Sequence, residues 1–438
     1  MKKIFAAMSI ALLTTPAFAQ SGTNSPYSQY GIGVLSDQGN SFNRGMNGVG
    51  LGLRPHNQIN YLNPASYSAV DSLSFIFDAG LSLQMTNFKE GKVSKNAKNA
   101  SFEYAVAGFR AARNLGVAIG VLPISNIGYQ YSNVQHKDRI DGSMTSVSTT
   151  YSGTGGLHEA FLGLGWSPIK GFSFGVNGGY LWGEMEHIVS NAYNDATAKS
   201  LTKNRNCSIS SYKFDFGVQY QQNLNDKDVV TVGATYGLGH SLNADPTLSI
   251  ISSGIVNDAT EYIARDGIDF PSQIAAGVSY THGTKWTVAL DYTLQKWADA
   301  KFPQEIEIES RDNSGNLIKK TDYVSKTGLL KDCHKINAGL EYCQNPEGRS
   351  FMSRIRYRLG AGYSTPYIKV GSKDGPSQLS VSAGVGIPIV NAINNRSMLN
   401  VSAQWVRNDA SGLIRENSFR INVGFTFNER WFAKWKFE

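Results

Sequence analysis

Apolar and polar residues alternate one for one along much of the chain, in runs of about ten residues. Tyr212, Phe214, Phe216, Val218 and Tyr220 interleave with Lys213, Asp215, Gly217, Gln219 and Gln221. Trp286, Val288, Leu290, Tyr292 and Leu294 do so with Thr287, Ala289, Asp291, Thr293 and Gln295. The rhythm returns at Ile355, Tyr357, Leu359, Ala361 and Tyr363, and at Phe419, Ile421, Val423, Phe425 and Phe427. Period two is the signature of a strand with two unlike faces. Strands of soluble sandwiches average about 5–6 residues, whereas a tilted strand needs about 9–11 to cross a bilayer. The pattern therefore predicts an all-β chain, a transmembrane antiparallel β-barrel with lipid on one face of its wall and a polar lumen on the other.

The pattern predicts strands at 72–86, 100–111, 114–128, 157–167, 171–188, 208–222, 228–240, 272–282, 285–299, 334–344, 351–363, 377–388, 397–408 and 417–427. Short turns such as Arg113-Asn114 and His282-Gly283-Thr284 alternate with long polar segments at 87–99, 129–156, 189–207, 241–271, 300–333, 364–376 and 409–416. Outer-membrane barrels have short periplasmic turns and long extracellular loops, and about fourteen strands satisfy that asymmetry. Segments 241–271 and 300–333 have room for short helices over the mouth. Asn428-Glu429-Arg430 reads as a turn; Trp431, Ala433, Trp435 and Phe437 after it either continue strand fourteen or fold back.

The N-terminus sets the compartment. Lys2 and Lys3, the apolar run Ile4–Leu13 and Ala17-Phe18-Ala19 have the form of a secretory signal peptide over residues 1–19, cleaved before Gln20. The expected location is the bacterial outer membrane, crossed many times. Residues 20–71 lack alternation, are rich in Gly, Asn and Ser, and yet contain Tyr27, Tyr30, Ile32, Phe42, Ile59 and Tyr61. So many aromatic and aliphatic groups predict a hatch or plug folded into the lumen, with residues 72–438 forming the barrel. Composition agrees: 45 glycines, 21 tyrosines, 21 phenylalanines and 7 tryptophans suit curved strands with aromatic girdles. The net charge of +7 includes Lys2 and Lys3, and no Lys/Arg run points to nucleic acid. Cys207, Cys333 and Cys343 have no metal-like spacing. Cys333 and Cys343 fall near opposite ends of one predicted strand, about 30 Å apart at 3.3 Å per residue, too far for a disulfide.

Three stretches carry a family resemblance. Asn63-Pro64-Ala65 stands just ahead of the first strand. Pro271-Ser272-Gln273-Ile274 leads through Gly277 and Tyr280 to Lys285-Trp286, Asp291-Tyr292 and Trp297. Tyr357-Arg358-Leu359-Gly360-Ala361-Gly362-Tyr363 runs on to Ser364-Thr365-Pro366. In this order they resemble the FadL/TodX-type outer-membrane transporters of long-chain fatty acids and other hydrophobic compounds. That resemblance implies a monomeric fourteen-stranded barrel, with a hatch whose closing turn is Asn63, Pro64 and Ala65. It also implies uptake of hydrophobic or amphipathic small molecules and outer-membrane lipid around the barrel, while Phe437, an aromatic near the C-terminus, points to barrel-assembly machinery as a partner during biogenesis. The opening of the hatch, Ser25-Pro26-Tyr27 to Leu53-Arg54, departs from the family's usual form.

An amphiphile carrier needs an apolar pocket with one fixed cation. Arg354, Arg356 and Arg358 form a period-two ladder on the predicted lumenal face, where Asp215, Asp291 and Glu341 are possible partners. A structural ion-pair network is the simpler reading of these arginines and a ligand anchor the sharper one. Ile250, Ile251, Ile255 and Phe270 are apolar for a loop; they line a ligand groove under the resemblance, or simply pack loop on loop. Gly175, Gly178 and Gly179 permit a kink in the wall. No Gly-x-Ser-x-Gly motif and no His/Cys/Asp cluster with metal spacing occurs, so neither an enzyme, a cofactor nor a metal is expected. Two functions follow: transport of hydrophobic small molecules, or a barrel that serves as a protein-interaction or shuttle component of a secretion or surface-export apparatus.

Overall fold

Ten-residue alternation becomes a wall. A computed structural model of the chain describes residues 22–138, 144–194, 199–253, 258–311, 317–389 and 397–430. The expected leader at 1–19 and the tail at 431–438 lie outside the described residues. Fourteen strands, labelled β1 to β14, form the barrel. They are β1 (Ser74–Glu90), β2 (Val93–Ala112), β3 (Leu115–Asp138), β4 (Met144–Ile169), β5 (Phe172–Tyr193), β6 (Ser200–Asn223) and β7 (Asp228–Gly237). The ring continues through β8 (Gln273–His282), β9 (Trp286–Gln295), β10 (Cys333–Cys343), β11 (Arg356–Ser364), β12 (Ser377–Ile389), β13 (Ser397–Asp409) and β14 (Arg415–Arg430). Each pairs antiparallel with the next. β14 returns to β1 from Lys89↔Arg415 to Ser74↔Arg430, so the ring closes and leaves no edge at the join.

The alternation points as the sequence demands. Trp286, Val288, Leu290 and Tyr292 face outward and are exposed, while Ala289 and Asp291 are buried inside. Phe214, Phe216, Phe419 and Ile421 join the same outer belt. No helix among the described residues is long and apolar enough to cross a membrane; the strands cross instead. The build is that of a bacterial outer-membrane barrel.

The structure departs from the sequence expectations in four places. First, 87–99, 129–156 and 189–207 are largely strand: β3 to β6 run 24, 26, 22 and 24 residues, against 10 for β7, β8 and β9. Beyond the bilayer both faces meet water, so the ladder continues while the apolar alternation that reports it stops. Second, 241–271 and 300–333 hold β-hairpins rather than helices: Thr247–Ser253 with Asp258–Ile263, and Phe302–Arg311 with Leu317–Lys326. The first pairs with the top of β6, so a tall sheet of β3, β4, β5, β6 and this hairpin stands over one side of the mouth. Third, Asn428-Glu429-Arg430 is no turn; Glu429 and Arg430 pair with Phe75 and Ser74 to complete the closure. Fourth, Arg354 ends a short helix, Phe351–Arg354, and so does not continue the β11 ladder.

Residues 22–71 pack inside the wall. Ile59, Tyr61 and Tyr67 meet Ile76, Tyr104, Leu122 and Phe161 in one buried cluster. Higher up, Tyr27 and Ile32 join Ile124, Leu181, Trp297 and Tyr367 in another. Gly175 does not kink the wall: a Cβ there would lie 2.2 Å from the Pro64 carbonyl carbon, so its bareness lets the Asn63-Pro64-Ala65 turn lie flat against β5. All three cysteines are free.

Candidate functional site

The lumen is where polar chemistry gathers, because outward positions are committed to lipid. Its centre is a set of ties between the N-terminal segment and the wall. Asp37 receives Arg420 Nη1 at 2.9 Å on Oδ2 and lies 3.5 Å from Lys335 Nζ. Arg44 donates to the Asp37 carbonyl at 2.6 Å and pairs with Glu103 at 2.8 Å. Burial would raise the Asp37 carboxyl, but the Lys335, Arg420 and Arg44 charges outweigh it and hold the group well below the usual carboxylate range.

Among the described residues no arginine pairs with Asp291. Its Oδ2 accepts the backbone N–H groups of Gly50 and Leu51 at 2.6 and 3.0 Å, a charge-assisted clamp on the segment. The side chain of Asn63 caps the turn of helix at Pro64–Ala69, accepting from the Ala65 N–H, and its amide donates to the Leu51 carbonyl at 3.0 Å. Tyr67 donates to Asn177 of β5 at 3.0 Å. Arg54 donates to Ser173 and Ser68 and has no carboxylate among these partners; burial draws its pKa down to about 10.

Of the arginine ladder, Arg356 and Arg358 both bind Glu341, and Arg358 also donates to Asn400 at 2.6 Å. Arg354 stands apart on its helix, with a buried Nε that lacks a partner. Asp215 pairs with Lys213, which also reaches Glu159 at 3.1 Å. Arg356 and Arg358 are therefore structural ties first.

Four cavities line the path through the barrel, and each carries charge. One of about 230 Å³ lies beside Asp37, Asp291 and Lys335. A second, of about 130 Å³, is lined by Phe270 and Trp297 but also by Glu159, Lys213 and Asp215. An outer vestibule of about 600 Å³ is faced by Tyr30, Tyr129, Tyr151, His187, Arg205 and Glu305. A cavity of about 590 Å³ at the opposite mouth holds Arg54, Arg356 and Glu341.

A family model described as BamG matches residues 1–438. The chain belongs to the BamG family. No curated protein matches it. Solved structures share the fold at low identity. The Ralstonia pickettii toluene transporter TbuX is 13% identical with a TM-score of 0.60, the match covering 89% of this chain and 98% of that one. The Pseudomonas putida toluene transporter TodX is 16% identical, TM-score 0.59, covering 91% and 100%. A Pseudomonas aeruginosa FadL homologue is 12% identical, TM-score 0.56, covering 90% and 98%. This BamG-family chain thus shares the barrel fold of these structures.

Among the described residues, the apolar loop positions do not converge. Ile250 and Ile251 sit on the raised hairpin, paired with Lys203 and Thr202 of β6. Ile255 lies outside the described residues. Of the described three, Phe270 reaches the lumen, its ring edge-on to Trp297 at 6.2 Å. Sequence reasoning missed the Asp37, Arg44, Arg420 and Lys335 group. Asp37 lies in a segment without periodicity, so no pattern assigned it a face.

Proposed function

We propose that this chain is a plugged, non-conducting outer-membrane barrel that acts through contacts with other proteins, as a subunit of an outer-membrane barrel-assembly apparatus. Residues 22–71 are its plug. The observation that carries the reading is the lumen itself: the segment is held by Asp291, by the Asp37 group and by the buried Asn63 turn, and charged groups line every one of the four cavities. An apolar cargo would have to displace the water around these charged groups and offer them nothing in return, which disfavours it. The tall sheet of β3 to β6 offers an ordered outer surface instead. The family name points toward barrel assembly and supports the same reading. Depleting the protein should lower the amounts of other barrels in the outer membrane. Unchanged barrel levels, with lost uptake of a hydrophobic compound, would overturn it.

A second reading, uptake of hydrophobic small molecules such as long-chain fatty acids, draws on the shared build with the two toluene transporters. Phe270 and Trp297 would then contact the ligand, and Arg356 and Arg358, already bound to Glu341, would not anchor it. Quenching of tryptophan fluorescence by a spin-labelled fatty acid, lost in Phe270→Ala, tests that case.

A further inference from the structure

The wall has a seam. β2 and β3 pair only from Ala112↔Leu115 to Ala105↔Val121. Beyond that level both strands go on, β2 against β1 as far as Val93 and β3 against β4 as far as Asp138, but not against each other. The N-terminal segment enters this opening. Val34 and Leu35 pair antiparallel with Asn126 and Ser125 on the edge of β3 that β2 has left. Ser36 N–H donates to the Ile124 carbonyl at 2.9 Å, and Gly128 N–H donates to the Ser28 hydroxyl at 3.2 Å. Gly22 sits between the two strands: a Cβ there would lie 2.7 Å from Ser101 Oγ and 3.2 Å from Asn126 Oδ1. At that level the seam is one backbone wide.

We propose that the seam between β2 and β3 accepts an extended polypeptide segment, bearing carboxylates, from a protein partner. The proposal rests on the reading of the barrel as a protein-interaction subunit. Ile124 and Gly128 both turn their backbone groups to the seam, so strand alternation turns those of Gln130, Ser132, Val134 and His136 the same way. Among the described residues no strand pairs with them on that side. Natural edges are blunted by lysine, proline or bulges. β3 from Gln130 to His136 contains no lysine, no proline and no acidic residue, and its register with β4 is regular there. The facing edge of β2 carries exposed Lys95 and Lys98, which suit carboxylates on an incoming strand. The hatch strand at Val34–Leu35 shows that this edge takes an added strand.

The test uses the full chain in lipid nanodiscs and a synthetic peptide of alternating valine and glutamate, read by hydrogen exchange. The peptide should protect the amides of residues 130–136; the same peptide with a methylated backbone should not, since it has charge but no donors. Ser132→Pro and Val134→Pro remove seam-facing donors and leave the β4 ladder intact, so the barrel should fold while peptide affinity falls at least about tenfold. Asn133→Pro, which faces β4, should loosen the wall instead. Absent protection, equal protection by the methylated peptide, or protection by lipopolysaccharide alone would overturn the proposal. Normal barrel assembly in the two proline variants, with peptide binding lost, would sink the seam's role and spare the functional reading. Peptide binding with no assembly defect on depletion would do the reverse.

Discussion

Glu341 holds two cations at once. Arg358 is almost fully buried, its side chain 2% exposed, so the carboxylate that faces it is its main compensation. Glu341→Gln should therefore destabilise the barrel by about 3–5 kcal/mol, the cost of stranding a buried charge. Urea titration of the heat-modifiable form measures this, and an unchanged midpoint would refute the assignment. Asp37 gives a pH signature. Its folded pKa lies below its unfolded one, near 4, so its contribution is complete above that value and fades as pH falls toward the folded pKa. Melting temperature should drop over this acid window in the native chain, and Asp37→Asn should flatten that part of the profile. These residues were unevenly legible. Glu341 and Arg358 lie on alternating strands whose faces the sequence reveals, and register sets them opposite each other. Asp37 has no such guide; only the folded segment brings it to Arg420.

Elements were legible where the bilayer imposes contrast. The exposed belt of β9, from Trp286 to Tyr292, is written in alternation because lipid and lumen select opposite chemistries. The upper halves of β3 to β6 are not, since water selects polar residues on both faces. The same blindness hid the hairpin Phe302–Arg311, although Ile306 and Ile308 between Glu305, Glu307 and Glu309 carry a faint strand rhythm. That hairpin is fastened by Glu305 to Lys203 and Arg205 of β6. Burial would raise the Glu305 carboxyl, but the two cations lower it. Glu305→Ala should free the hairpin to proteases while leaving the barrel intact, and equal protection in the variant would show that the pair is idle. The proposed plug makes a sharper forecast. Gly175→Val would drive a side chain into the Pro64 backbone and lift the Asn63-Pro64-Ala65 turn from β5. A nearly silent protein in planar bilayers should become leaky, and unchanged conductance would argue against a plug.

At the scale of the whole molecule, the closing ladder joins Ser74–Lys89 to Arg415–Arg430, near the two ends of the chain. Loop-closure entropy and slow kinetics both attach to such a late, long-range contact. Residues 22–71 lie inside the ring that this ladder closes, so the wall must form around them. Their ties reach strands spread over the ring, from Asp78 and Ser173 to Asp291 and Asn422. As the proposed plug, the segment would also be a mandrel, gathering early and late strands onto one axis before they meet. A chain without residues 22–71 should close more slowly on dilution from urea into lipid, with the heat-modifiable band appearing later. Once the ring shuts, its filling is captive, like a ship assembled inside its bottle.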